Sequence, residues 1–573
     1  MTIIQGIVGS QGFGSGTAIV KRTAMDAPKR LKIKDLDNER KRFRTAQSIC
    51  AERFNKLIDD SMSLGEETVE IFKAYLTILR DEAFFQKALS RMEAELVNIE
   101  YLIYDECKSV MEKFADMEDP YLRERSVDIE NVCNDLIRTM LGLEQDFTIS
   151  RSMKDVIIVA DDLTPVETMK MDKKSLRGFV TEKGGATSHT VILAKALGIP
   201  AIIGVADLVE TVSDGDFLLL DAFSGTVSIN PDAENEAKFN TLSAAYSKKQ
   251  NLYAENVGQP AVTKDGFALH VNVNTGDETS IKDFDVRRCD GVGLLRTEFL
   301  YMNRSGYPDE DTQFTVYSNI AAKAAGKEVI IRTLDIGGDK QADYMGLPVE
   351  DNPFLGCRAI RLCLDRRDVF HTQLRAILRA SVHGNVKIMF PMIVNIEELL
   401  EAKECVEDAK RTLRDEGIAF NENIPIGIMV ETPAAVLISD KLAKESDFFS
   451  IGSNDLIQYV TATDRLNKSV QHLYDSCNLS VLNAVQIVAD NAQSVGIPWG
   501  ICGEVASEAR LIPMWVALGV SELSVAPSLV GRVKYIIRRL DRAELIPQIE
   551  KILNLQVAED VRRELDNILS LTE

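Results

Sequence analysis

The stretch GGATSHT, residues 184–190, sets His189 after two glycines and between two hydroxyl side chains, in a chain with only five histidines. Gly184 and Gly185 allow a sharp turn and close approach of backbone to a ligand. The apolar residues Val191, Ile192, Leu193, Ala196 and Leu197 then recur at helical spacing and stop at Gly198 and Pro200, which predicts a helix starting near Ser188. A phosphate carried on the imidazole would meet the free N–H groups and positive dipole end of that helix. The competing reading is a surface histidine beside a capping Ser or Thr.

A second set of reactive residues lies far downstream, where apolar runs end in charge or sulfur: Asn274, Arg296, Arg332, Glu431, Asn454 with Asp455, and Cys502 with Glu504. Arg296 and Arg332, joined by Arg358 and Arg465 from loops, suit a small, multiply charged phosphate or carboxylate, because each guanidinium fork binds two oxygens. Salt bridges to Glu298, Asp335 or Asp464 are the alternative use of the same arginines. Glu431 and Asp455 are hard carboxylates without a neighbouring histidine or cysteine, a pairing that fits Mg2+ completed by substrate and water. Partnership with the arginines competes with that role. Cys502, between two glycines, is either an inert packing thiol or a proton donor to a carbanion or enolate.

These residues need elements to hold them. Eight strand-like runs follow one another: ALHVNVNT, CDGVGLLRTE, EVIIRTLD, VKIMFPMI, IPIGIMVET, DFFSIGSND, IPWGICGEV and ELSVAP, most of them separated by helical stretches. Strand and helix alternating eight times over residues 261–573 predicts a (β/α)8 barrel, whose active groups belong at the C-terminal strand ends. A doubly wound open sheet is the other arrangement with this pattern. Upstream, residues 37 to about 145 are nearly free of Gly and Pro and repeat apolar residues at helical spacing, interrupting strand-like runs on both sides. The fold expected is multidomain α/β: an α/β domain from 1–21 and 146–230 with a helical insertion over 22–145, a connecting helix over 231–260, and the TIM barrel.

At 573 residues the chain exceeds one core, and its 45% hydrophobic and 27% charged content is that of a soluble globular protein. No apolar run approaches the roughly 20 residues that span a bilayer, and MTIIQGIVGS lacks the features of a signal peptide, so a cytoplasmic location is expected. Nine cysteines without CxxC or zinc spacing suggest neither a disulfide framework nor a structural metal. A net charge of −22 argues against a nucleic-acid partner and permits attraction to basic proteins.

Taken together, GGATSHTVILAKALGIPAIIG, GVGLLRTEFLYMNR, IRTLDIGGDK, NPFLGCRAIR, GIMVETPAAV, FFSIGSNDLIQYVTATDR and GICGEVAS resemble Enzyme I of the sugar phosphotransferase system, the phosphoenolpyruvate-protein phosphotransferases. Pyruvate phosphate dikinase and phosphoenolpyruvate synthase share GGxTSH, but they carry a nucleotide-binding domain that the residues before His189 do not resemble. The resemblance implies that His189 takes phosphate on Nε2 from phosphoenolpyruvate and passes it to the small carrier HPr, with pyruvate released. It implies that Thr168 orients the imidazole. Arg296, Arg332, Arg358, Arg465 and Asn454 would contact phosphoenolpyruvate, Glu431 and Asp455 would hold Mg2+, and Cys502 would protonate C3 of the enolate. It further implies that 22–145 docks HPr, that the phosphohistidine domain swivels, and that the barrel forms a homodimer. Ala186, Cys357, the segment DSCNLSVL and Arg80 depart from the usual pattern, the last at the rim of the docking surface. A sensor that keeps the barrel without transfer is the competing class, and retention of His189, both carboxylates and Cys502 weighs against it.

Overall fold

The structure, a computed structural model, describes residues 2–21, 27–61, 66–115, 120–143, 154–169, 175–184, 188–276, 285–302, 304, 306–338, 343–348, 350–467 and 469–570. The chain divides into two compact units, Met1–Tyr246 and Ser247–Glu573. No helix among the described residues is long and apolar enough to cross a membrane.

In the first unit, strands β1 (Thr2–Gln5), β2 (Ile7–Ser10) and β3 (Phe13–Lys21) precede five helices: α1 (Leu36–Ser61), α2 (Glu66–Arg80), α3 (Glu82–Glu95), α4 (Ile99–Ala115) and α5 (Pro120–Leu141). The chain then re-enters the sheet through β4 (Val156–Ala160), α6 (Pro165–Met169), β5 (Leu176–Thr181), α7 (His189–Leu197), β6 (Ala201–Ile203), α8 (Leu208–Thr211), β7 (Phe217–Asp221) and β8 (Thr226–Ile229). Among the described residues the eight strands form one mixed sheet in the order β1-β8-β7-β3-β4-β5-β6-β2. β3 pairs parallel with β4, so the helical insertion leaves and returns at adjacent strands. The helices carry a core of their own, with Phe43, Cys50, Phe54, Phe72, Leu79 and Met92 almost fully buried. That is the stripe the 3.6-residue period marks.

Helix α9 (Ala233–Asn256) runs from one unit into the other, with Phe239 and Tyr246 packed edge-on against Phe13 and, further along, Tyr253 against Tyr535. The second unit contains β9 (His270–Thr275), β10 (Val292–Leu295), β11 (Glu328–Arg332), β12 (Asn385–Phe390), β13 (Ile426–Val430), β14 (Phe449–Gly452), β15 (Trp499–Cys502) and β16 (Glu522–Val525). They close into a parallel barrel, β16 pairing with β9, which excludes the open sheet. Each strand falls within one of the eight runs read from the sequence or within a residue of it. Leu294, Ile330, Met389, Met429, Phe448 and Cys502 form a small cluster inside, separate from the larger core shared by strands and helices.

Candidate active site

α7 begins at His189 itself, with Ser188 as its N-cap residue in extended conformation. Ser188 Oγ accepts no capping hydrogen bond and, although buried, has no hydrogen-bond partner among the described residues. A donor is therefore left beside the imidazole at the positive end of the helix. Gly184 has φ of 109°, as the glycine turn requires, while Gly185, Ala186 and Thr187 lie outside the described residues. His189 Nδ1 is 3.2 Å from Oδ1 of Asp128, a nearly buried acid on α5. A carboxylate on that side favours the ring form that carries its proton on Nδ1, with the lone pair on Nε2.

Asp128 faces Nδ1 of the ring in this structure. Thr168, fully buried on α6, donates its hydroxyl to the Thr164 carbonyl 3.0 Å away, the usual i−4 bond of a helical threonine. Sequence reasoning passed over Asp128, yet a signal was present. Asp128 stands four and eight residues before the buried Val132 and Leu136, on the inward face of α5.

In the barrel, Arg296, Arg332, Glu431, Asn454, Asp455, Arg465 and Cys502 line one cavity of about 550 Å³ at the C-terminal strand ends. Arg358 is behind it, its Nη2 2.9 Å from Asp335 and 3.5 Å from Asp455. The salt-bridge reading of the arginines therefore holds in part. Arg332 pairs with Glu298 and with Asp335 at 3.0 Å, whereas Arg296 makes no ion pair among the described residues. Among the described residues the buried Nε atoms of Arg332 and Arg358 have no hydrogen-bond partner, so the arginines keep donors around the cavity that these residues do not use. Such orphans cost free energy unless a ligand satisfies them.

Met392, in left-handed conformation at φ of 58°, turns its N–H onto Glu431 Oε1 at 2.7 Å. Burial, with Asp455 and Asp335 close by, pushes Glu431 up to about 8 despite Arg332 and Arg358. Asp455 Oδ1 is buried and has no donor. Two carboxylates short of positive charge, one with a vacant lone-pair site, fit a divalent cation that takes its other ligands from substrate and water. No larger cluster of acidic, His or Cys ligands exists among the described residues.

Cys502 Sγ donates to the Ile451 carbonyl at 3.5 Å and accepts from Ser450 Oγ at 3.4 Å. Burial pushes the thiol up to about 11, against the pull of Ser450 and Arg332, so it keeps its proton at neutral pH. Gly503, at φ of 102°, makes the turn beside it, where a Cβ would come within 2.4 Å of Ser453 Oγ. Asn454 braces the same corner by accepting from the Glu504 N–H. Asp335 lines the same cavity, and Ser450, Gln471 and Tyr474, which were not singled out from sequence, complete the surroundings.

A parallel barrel with an arginine-rich, carboxylate-bearing cavity at its strand ends, joined to a histidine-bearing α/β domain, is the architecture of an enzyme that uses phosphoenolpyruvate. Three family descriptions match in order: "PEP-utilising enzyme, N-terminal" over residues 5–125, "mobile domain" over 153–225 and "PEP-binding domain" over 250–542. A phosphoenolpyruvate-protein phosphotransferase of Bacillus sp. strain S is 39% identical across 97% of this chain and 96% of its own. That of Haemophilus influenzae is 39% identical across 94% of each, and that of Mycoplasma capricolum 37% across 99% of each. The chain belongs to the phosphoenolpyruvate-protein phosphotransferase family and is an enzyme of that class.

Proposed function

We propose that this chain moves the phosphoryl group of phosphoenolpyruvate to Nε2 of His189 and from there to a histidine of the small carrier HPr, in the cytoplasm, as the first step of sugar uptake by the phosphotransferase system. The observation that carries this reading is the single barrel cavity shared by arginines, a carboxylate pair and a protonated thiol. Arg296, Arg332 and Arg465 bind the phosphate and carboxylate of phosphoenolpyruvate with Asn454, while Arg358 supports them from behind through Asp335 and Asp455. Glu431 and Asp455 would hold Mg2+, which when bound neutralises charge on the phosphate and developing enolate.

His189, in its neutral form with Nδ1 facing Asp128, presents Nε2 for in-line attack on phosphorus. Cys502 gives its proton to C3 of the enolate and pyruvate forms. Ser188 Oγ and the first N–H groups of α7 then hold the phosphate on the ring. Transfer in and out needs two docked states of the phosphohistidine domain, 1–21 and 146–230. In one His189 enters the barrel, 261–573, and in the other it meets the helical subdomain, 22–145. The helix within 231–260 serves as the connection, and Thr168 is suited to take over the ring where Asp128 does not hold it. The barrel forms a homodimer, for which exposed apolar side chains such as Leu437 are available.

Intact mass after incubation with Mg2+ and phosphoenolpyruvate tests the reading. One acid-labile phosphoryl group is expected on the wild-type chain and none on His189→Ala, and persistent labelling of that variant would remove His189 from the role.

A further inference from the structure

The cavity accounts for Cys502 but leaves unexplained a polar column that continues beneath it, down the barrel axis. Ser450 on β14 is in register with Gly500 on β15, and Gly500 with Glu522 on β16. Side chains at one register level of parallel strands share a face. Gly500 is two residues before the inward-facing Cys502, so all three positions face the interior. A glycine between Ser450 and Glu522 leaves a gap between them. Glu522 Oε2 lies at that gap, 3.5 Å from where a Gly500 Cβ would stand, and Oε1 occupies a second hollow over Gly293. Above, Ser450 Oγ already donates to Cys502 Sγ.

Below, Glu522 shares a hydrogen bond with Glu328, the first residue of β11. Glu328 in turn accepts from Asn272 Nδ2 at 2.9 Å and Lys387 Nζ at 2.6 Å. The side chains of Glu328 and Lys387 are each 20% exposed, whereas Cys502 is 2% exposed. The column therefore runs from the nearly buried thiol to the partly exposed end of the barrel opposite the cavity.

We propose that Ser450 and Glu522 form a proton relay that returns a proton to Cys502 from the base of the barrel after the enolate has been protonated. The relay rests on the reading of Cys502 as proton donor. When the S–H bond breaks and the C3–H bond forms, a thiolate remains beside Ser450. The Ser450 hydroxyl proton passes to Sγ, and the Glu522 carboxyl proton reaches Ser450 Oγ through a water molecule in the gap at Gly500. Glu522 is left as a carboxylate next to Glu328 and regains a proton from water at the base. Burial and the charge of Glu328 push Glu522 up to about 8, against Asn272 and Lys387, so the acid holds a proton at neutral pH. The cavity-side groups acting on Cys502 are Arg332, which favours the thiolate, and Glu431, which opposes it.

Exchange between phosphoenolpyruvate and carbon-labelled pyruvate in heavy water tests the relay on the full chain with Mg2+. Carbon exchange can proceed with the thiol proton shuttling to and from C3, whereas deuterium enters C3 only if Cys502 exchanges its proton with solvent. Both Glu522→Gln and Ser450→Ala are expected to lower the ratio of deuterium incorporation to carbon exchange by about tenfold or more. Circular dichroism checks each fold, and Ser450→Ala decides the matter alone if Glu522→Gln is unfolded. Unchanged ratios in folded variants overturn the relay and leave Cys502 as donor. Carbon exchange at wild-type rate in Cys502→Ser instead removes Cys502 itself, an outcome separable from the first.

Discussion

If His189 is the nucleophile proposed above, its Nε2 is controlled through Nδ1, which lies 3.2 Å from Asp128. The acid is nearly buried, so it has few alternatives to the ring proton and the pair resists competition from water. Asp128→Asn keeps the size but can present an N–H instead of an acceptor, which favours the tautomer with its proton on Nε2. Phosphorylation of His189 is expected to slow by about tenfold or more, with phosphoenolpyruvate binding to the barrel unchanged. Rapid-quench labelling measures the first, equilibrium binding the second. Equal phosphorylation rates in variant and wild type would show that the pair is incidental.

At the scale of elements, α2 divides its apolar residues between two tasks. Phe72 and Leu79 are fully buried in the helical core, while Val69 and Leu76 remain partly exposed and Arg80 stands at the exposed end. In the proposed reading docking would fall to the latter, among acids of which the side chains of Glu66, Glu67 and Glu70 lie outside the described residues. Phe72→Ala is expected to cost about 3–5 kcal/mol in urea unfolding. Leu76→Ser should weaken carrier binding with little change in that transition, as calorimetric titration would reveal. The barrel base makes an independent forecast. Glu522 titrates at about 8 in the folded state, above its ordinary 4.5, so the native state binds the extra proton between those values. Stability from this group is full below pH 4.5 and is lost as pH rises through 8. Urea unfolding of Glu522→Gln should lack that decline, and a decline equal to wild type would assign it to other groups.

The proposed reaction would be divided between two units, with His189 in Met1–Tyr246 and the cavity in Ser247–Glu573. Each unit has its own core, which lets the two be rearranged without unfolding either. The barrel also exposes Leu437 to 76%, at the end of a short helix packed on the one that carries the exposed Ile487. If the barrel pairs with a second copy there, Leu437→Asp should shift sedimentation from dimer toward monomer at matched concentration. A dimer that persists unchanged would move the interface elsewhere.

Much of this was legible in the chain alone, because periodicity and strand-end chemistry are local. Eight apolar runs, six of them closing in Arg, Glu, Asn, Asp or Cys, pointed to a barrel with its chemistry on one face, and a glycine turn before a helix drew attention to His189. The motifs also carried the family, and with it Thr168 and the metal pair. Tertiary structure alone decided partnerships between residues distant in sequence. It set Asp128 of α5 against His189 of α7, put Arg358 behind Asp335 rather than in the cavity, and stacked Glu522 and Ser450 beneath Cys502 across three strands. Such pairings depend on register and helix packing, which bring together side chains whose spacing along the chain carries no trace of the contact.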